Sequence, residues 1–443
     1  MVKCLDEEKV FYNNLYPFTD LPRTGMESLK WNLYITDTTL RDGQQAWRPL
    51  KIEEAVKVYQ LLNEVDAGSG IIKSCEFFLY TDKDREVVRR VKELGYDYPK
   101  PIAWIRATFS DLKLVEEAGL DKAVILSSIS DYHIYYKLRL SRSQAVEKYL
   151  SVIEEALKKG ISVRASLEDI TRADIYGLAI PFIHKVFDLG EKYGVEVEVK
   201  IADTLGLGLP FEEVPLPRSI PRIVKALIRD GGVPGEKIEF HGHNDFHLGV
   251  ANATAAWLYG AALNNTTLLG IGERAGNVPL EAMVFIYAGI KGTLDEMDTR
   301  ALTEVARYYE KELSYRVPAY YPIVGRNFNV TRAGIHADGT LKNIRMYLPF
   351  DTESLLESPP GIAITPYSGA AGVAFWINHF FRLKNQEKVG KEHPGVQKIY
   401  QEILKRFEMG EVLTITDREM LKLVRRFLPE IWERYRSRAR EVE

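Results

Sequence analysis

The chain has 443 residues, 59 Lys and Arg against 62 Asp and Glu, and a formal net charge of -3. That length exceeds one simple core and suggests a large domain plus a smaller one, and without a basic surplus nothing points to a nucleic-acid partner. Its two cysteines, Cys4 and Cys75, can build neither a disulfide framework nor a thiolate metal cluster, which fits a reducing cytoplasm.

The opening MVKCLDEEKVFYNN has acidic residues where a signal peptide would be apolar. Residues 1–30, with Pro17, Pro22 and Gly25, are expected to form an irregular N-terminal arm. β-rich runs then follow at LYITDTTL (33–40), IIKSCEFF (71–78), PIAWIRA (101–107), KAVILSSIS (122–130), SVRASLED (162–169), VEVKIADT (197–204), KIEFHGH (237–243) and NTTLLGIG (265–272). Helical periodicity fills the gaps. Ala55, Val58, Leu61, Leu62 and Val65 share one face, as do Val146, Tyr149, Leu150, Ile153 and Leu157, with Gly160 placed to end the second helix. Strand–helix alternation across residues 31–300 predicts an α/β fold, a (β/α)8 TIM barrel. A doubly wound sheet is the competitor, but no Gly-x-Gly-x-x-Gly follows the first strand.

The long apolar stretch GVANATAAWLYGAALNN is broken by Asn, Thr and Gly and is too short to span a bilayer, so no membrane partner is expected. Residues 301–378 mix helix with irregular sequence and are expected to form a linker or lid subdomain. Residues 379–443 read as a C-terminal helical subdomain. Within it, Thr416 and Glu419 form a capping box ahead of an apolar stripe through Leu421, Val424, Leu428 and Ile431.

Chemistry in a TIM barrel sits at the C-terminal ends of its strands. Seven of these runs end in polar groups: Arg41 and Asp42; Arg106; Ser130, Asp131 and His133; Ser166, Glu168 and Asp169; Asp203 and Thr204; His241, His243, Asn244 and Asp245; and Glu273, Arg274 and Asn277. His241 and His243 are alternate residues of one strand and aim to one side. Asp42 reaches the same mouth. Two imidazoles and a carboxylate make a divalent-metal site with open positions. Satisfied polar residues at a strand end are the plainer alternative. Arg41 beside Asp42 is either a surface ion pair of small value or a fixed cation for a developing oxyanion. Gln44 and Gln45 orient water or substrate, or merely solvate a loop.

The runs DTTLRDGQQ, SISDYHI, SLED, ADTLG, HGHND, GERAGN and AGIHADG occur in this order between residues 31 and 378. The chain thereby resembles the metal-dependent acyltransferases and lyases on TIM barrels that include isopropylmalate, homocitrate and citramalate synthases and hydroxymethylglutaryl-CoA lyase. The resemblance implies a divalent metal (manganese first; magnesium, cobalt or zinc as alternatives) on Asp42, His241 and His243, with Asn277 close by. It implies Arg41 beside the reacting carbonyl, and His133, Ser166, Glu168 and Thr204 around a 2-oxo acid. It also implies that His336 and Tyr347 reach into a neighbouring subunit's site, hence a homodimer, and that acetyl-CoA is the co-substrate.

The lyases' cysteine-bearing glycine-rich loop has no counterpart in GIGERAGN, and RASLED lacks the lysine that the carboxyltransferases carbamylate. Condensation is therefore expected. RDGQQ, CEFFLYTDKD, LEDITRADIYG and HGHNDFHLGVANATAAWLYG are similar to the Re-citrate synthases, which join acetyl-CoA to oxaloacetate. Homocitrate synthase, 2-isopropylmalate synthase and an acyl-CoA lyase are the alternatives. Gln45 is expected at the substrate. A dicarboxylate needs a cation at its far end; Arg106 is favoured, with Arg164 and Arg172 as alternatives.

Overall fold

The computed structural model describes residues 21, 24, 26, 29–410 and 414–439. The expected N-terminal arm, 1–30, lies almost wholly outside the described residues. Those described form two compact units, one within Arg23–Val317 and the other within Pro318–Glu443.

The first unit is a closed barrel of parallel strands in chain order. These are β1 Tyr34–Asp37, β2 Ile72–Phe77, β3 Lys100–Arg106, β4 Lys122–Ser128, β5 Ser162–Glu168, β6 Val197–Asp203, β7 Ile238–Gly242 and β8 Leu263–Thr266. A helix follows each: α1 Ile52–Asp66, α2 Asp82–Glu93, α3 Phe109–Ala118, α4 Arg142–Lys158, α5 Ile180–Tyr193, α6 Ile220–Arg229, α7 Gly249–Leu258 and α8 Leu280–Lys291. Local chemistry sets their ends. Ser141 and Gln144 close a capping box at the start of α4, and Gly160, at φ +73°, turns the chain after it. The small-residue helix α7 buries Ala253, Ala256 and Trp257.

Two strands differ most from expectation at their ends, the others by one or two residues. β1 stops at Asp37 rather than Leu40, because the Asp37 carboxylate accepts the Thr39 N–H (2.8 Å) and hydroxyl (2.7 Å). The Thr38 carbonyl then gathers the N–H groups of Arg41, Asp42 and Gly43, winding Thr39–Gly43 into a π-helical turn. β8 begins two residues before the expected run and is over by Thr266. The Thr267 N–H bonds Val278 O and the Leu280 N–H bonds Thr267 O, so the ladder passes to the segment entering α8.

The bore of the barrel is not apolar. Lys122 binds Glu198 (2.6 Å), which also binds Arg164 (2.6 Å). Arg164 binds Glu239 (2.5 Å), and Lys200 lies 3.0 Å from Glu239 while also binding Glu76. Glu76 accepts from Arg41 (3.2 Å), which binds Asp42 (2.9 Å). Cations and carboxylates thus alternate up the barrel. Burial alone would raise the Glu76 pKa, but Lys200 and Arg41 hold it down at about 2. A depressed folded-state pKa stabilises the fold above the ordinary value of 4.5. That stabilisation is lost as pH falls through about 2.

A further helix, α9 Arg300–Lys311, belongs to this unit. Tyr309 stacks on Trp47 at 6.0 Å, and the Asp298 N–H bonds Val65 O. The compact barrel unit therefore runs to Val317, beyond the expected boundary at 300. The second unit contains α10 Gly334–Lys342, α11 Gly369–Phe380, α12 Pro394–Glu408, α13 Asp417–Phe427 and α14 Pro429–Tyr435. One apolar cluster joins Ala337 and Val373 to Ile399, Met420, Leu421, Val424, Leu428 and Trp432. Segments expected as two subdomains, 301–378 and 379–443, thus share a core. The Thr416–Glu419 capping box is present. Pro429 starts a new helix, so Trp432 is buried while Ile431 only flanks the cluster.

Replacing Arg164 with Met leaves Glu198 and Glu239 each short of a cation in a site buried from solvent. We expect a loss of about 3–5 kcal/mol in urea unfolding, with part of it recovered in R164M/E239Q. An R164M protein as stable as the parent would contradict this reading of the bore.

Candidate active site

Asp42 leaves the π-helical turn after β1, and His241 and His243 leave β7. The Asp42 Oδ2 lies 3.6 Å from His241 Nε2 and 3.7 Å from His243 Nε2, and the two imidazole nitrogens are 3.3 Å apart. All three side chains are buried. They form a group of ligand-type side chains able to hold one metal ion.

Neighbours set the donor atoms. Asn265 Nδ2 donates to Thr36 Oγ1 (3.0 Å), whose own proton goes to Glu239. That fixes Asn265 Oδ1 as the acceptor facing His241 Nδ1 at 2.7 Å. His241 Nδ1 therefore carries the hydrogen, and Nε2 keeps a free lone pair toward Asp42 and His243. Burial, followed by the neighbouring His243, pushes the His241 pKa down to about 3, so its ring stays neutral. Burial also lowers His243. Burial opposes charge on Asp42, but Arg41 and the imidazoles hold its carboxyl well below the usual range. The donor set is one anion and two neutral imidazoles, the protonation state a divalent cation requires.

Asn277 donates through Nδ2 to Asp42 Oδ2 at 2.8 Å, which turns its Oδ1 away. Among the described residues, that buried Oδ1 finds no hydrogen-bond partner. A Cβ on Gly272 would stand 1.6 Å from it, so glycine is needed there. The amide thus lies against the Asp42 carboxylate, and with its oxygen and nitrogen exchanged it would offer a fourth donor toward the triad. Arg41 is clamped between Asp42 and Glu76, with its guanidinium carbon 4.9 Å from the Trp104 ring centre.

A second cluster stands at the ends of β4 and β5. Glu168 accepts from the Ser128 hydroxyl and from Lys137 Nζ (2.7 Å), with His133 Nδ1 at 2.9 Å. Burial opposes its charge, yet His133, Lys137 and Ser128 hold it at about 2. Ser166 is buried two residues earlier on β5, on the same side as Glu168. The Thr204 hydroxyl accepts the Asp169 N–H at 2.8 Å and so braces the β5 turn.

Other expected substrate residues sit differently. Gln45 is exposed. Its neighbour Gln44 is structural: its amide bonds Leu40 O (2.6 Å) and receives the Leu50 N–H (2.8 Å). The Arg106 side chain is 61 % exposed and bound to Asp111. Arg164 lies deep in the bore, not toward the outer helices, and Arg172 is held by Asp169. His336 lies on α10 and Tyr347 in the turn after it, within the second unit, with ring centres 4.4 Å apart. A Cβ on Gly339 would meet the Tyr347 ring at 2.4 Å, so that glycine admits the pair.

Sequence reasoning missed Lys137, Glu76, Lys200 and Asn265. For Glu76, Lys200 and Asn265 the signal was a charged or amide residue inside a strand buried on both faces, where apolar residues are the rule; Lys137 lies in the π-helical turn after β4, half exposed, and carried no such signal.

The HMGL-like family model matches residues 32–308. The chain is 44 % identical to the citrate (Re)-synthase of Clostridium kluyveri, across 99 % of this chain and 100 % of that one. It is 46 % identical to the citrate (Re)-synthase of Syntrophus aciditrophicus, across 93 % of this chain but 66 % of that longer protein. It is 34 % identical to the 2-phosphinomethylmalate synthase of Streptomyces hygroscopicus, covering 94 % and 96 %. The hydroxymethylglutaryl-CoA lyase structure from Pseudomonas aeruginosa shares the fold, with a TM-score of 0.51, 17 % identity, and coverage of 68 % of this chain and 96 % of that one. A family match over more than half the residues, around a closed barrel with its donor triad at the mouth, places this chain in the HMGL-like family.

Proposed function

We propose that this protein joins acetyl-CoA to oxaloacetate in a metal-dependent Claisen condensation and hydrolyses the thioester to give citrate, as a Re-citrate synthase. The buried Asp42–His241–His243 triad beside Arg41 carries the reaction class. Near-full-length identity to a citrate (Re)-synthase supports the choice of oxo acid.

Asp42, His241 and His243 would hold the divalent ion, with Asn277 as a fourth donor once its amide is turned. The resemblance to the Re-citrate synthases favours manganese, with magnesium, cobalt or zinc as substitutes. The bound ion supplies Lewis acidity to the carbonyl and adjacent carboxylate of a 2-oxo acid. Arg41 faces the oxygen on which negative charge grows as the new carbon–carbon bond forms. The acetyl methyl is a very weak acid, so a base succeeds only where the enolate is also stabilised. His336 and Tyr347 assist that step from the partner chain of a homodimer, delivered by the part of the 301–378 segment that lies beyond Val317. Glu168, held ionised by His133 and Lys137, lines the pocket with Ser166 and Thr204. Cys75 is buried and free, and no described helix is long and apolar enough to cross a membrane; a cytoplasmic location fits both.

Thiol release from acetyl-CoA should be fastest with oxaloacetate among oxaloacetate, 2-oxoglutarate, 2-oxoisovalerate and pyruvate. It should stop with EDTA and return with manganese. A preference for 2-oxoisovalerate would overturn the citrate assignment, and full activity in EDTA would overturn the metal.

Because the His241 ring stays neutral down to about pH 3, protons should compete weakly with the metal. Manganese affinity measured by calorimetry is expected to change less than about tenfold from about pH 7.5 to about 5.5. Two imidazoles with ordinary pKa values would lose about a hundredfold over that span, and such a loss would contradict the geometry.

A further inference from the structure

In an eight-stranded barrel β6 and β2 stand on opposite sides of the bore. Lys200, on β6 and 1 % exposed, crosses it. Its ammonium binds Glu76 Oε1 on β2 and lies 3.0 Å from Glu239 on β7. The other Glu76 oxygen accepts from the Thr38 hydroxyl (2.9 Å) and from Arg41 Nε (3.3 Å) and Nη2 (3.2 Å). Arg41 reaches Asp42 through its remaining arm. A carboxylate gripped at both oxygens from opposite walls cannot rotate, and a guanidinium that donates two bonds to it inherits that orientation.

We propose that Lys200 is a positioning residue for the condensation: by anchoring Glu76 from across the barrel it fixes the Arg41 guanidinium beside the metal-binding triad. The proposal rests on the reading above, in which Arg41 faces the developing charge. Lys200 touches neither the triad nor the mouth. Its neighbour toward the mouth on the same strand face is Ala202, in register with His241 and Glu168. Its link to Arg41 passes through Glu76, while a separate path through Glu239, Thr36 and Asn265 leads to His241 and would show in manganese affinity. Electrostatic catalysis depends on dipoles and charges being aimed before reaction. Groups one shell removed from a metal site typically alter activity by about 10–100-fold.

A plain structural role is the rival account, in which Lys200 only neutralises two buried carboxylates. K200M, E76Q, K200M/E76Q and R41M separate the two, each measured for kcat, KM for acetyl-CoA, manganese affinity and melting temperature. K200M should lower kcat by about 10–100-fold, with KM and manganese affinity changed less than about threefold. The double variant restores charge balance, so it should regain melting temperature but not kcat. Wild-type kcat in the double variant, or in folded K200M, would overturn the proposal. If K200M does not fold, the double variant still decides it. R41M should lose at least as much kcat as K200M. If R41M instead keeps wild-type kcat, the role given to Arg41 fails, a result distinct from failure of the Lys200 link.

Discussion

Charges buried in a closed barrel must be compensated by other side chains, because little water reaches them. The bore satisfies this by alternation: Lys122, Glu198, Arg164, Glu239, Lys200, Glu76, Arg41 and Asp42 follow one another in contact. Each carboxylate touches cations on two sides, except Asp42 at the top. Asp42 has one cation, Arg41, and then faces two neutral imidazoles. The column thus ends in an anion whose second cation is missing from the chain itself. That imbalance fits a group able to hold a divalent ion, and Glu76 below shares Arg41 with Asp42.

Much of this was legible in the sequence. Eight apolar runs with helical spacers, and polar residues at their ends, are local patterns that survive without coordinates. His241 and His243 were readable because alternate strand residues share a face. Asp42 was readable because a closed barrel brings every strand end to one mouth. Lys200 and Glu76 were not, since they are 124 residues apart and meet only because β6 and β2 face each other. A charged residue in mid-strand carries no local sign of its purpose; its partner on the far wall makes it a crossbar.

The misses near the mouth have a different cause. Arg106 ends β3 as expected, but the next helix supplies Asp111, which takes its guanidinium (2.9 and 2.8 Å). Gln44 and Gln45 are adjacent, yet the π-helical turn directs Gln44 inward to close the loop at Leu40 and Leu50 and leaves Gln45 in solvent. In both cases residue type and strand position were right, and a short-range partner decided the direction. Glu168 sits in a different setting. Its pocket role rested on resemblance, and the structure surrounds it with Ser128, His133 and Lys137, which keep it ionised at the mouth.

The adjacency of Arg41 and Asp42 follows from the turn that carries them. In a regular strand neighbouring side chains point to opposite faces, so one of the two would have left the bore. The Thr38 carbonyl, by collecting three successive N–H groups, replaces the strand with a π-helical turn. Both side chains then reach the same side, one toward Glu76 and the other toward His241 and His243. Asp37 enforces this by binding Thr39 at two points. A strand that ends early is therefore the device that brings a cation and a candidate metal-ligand anion to one side, and Glu76 beneath takes two of the three nitrogen donors of that cation.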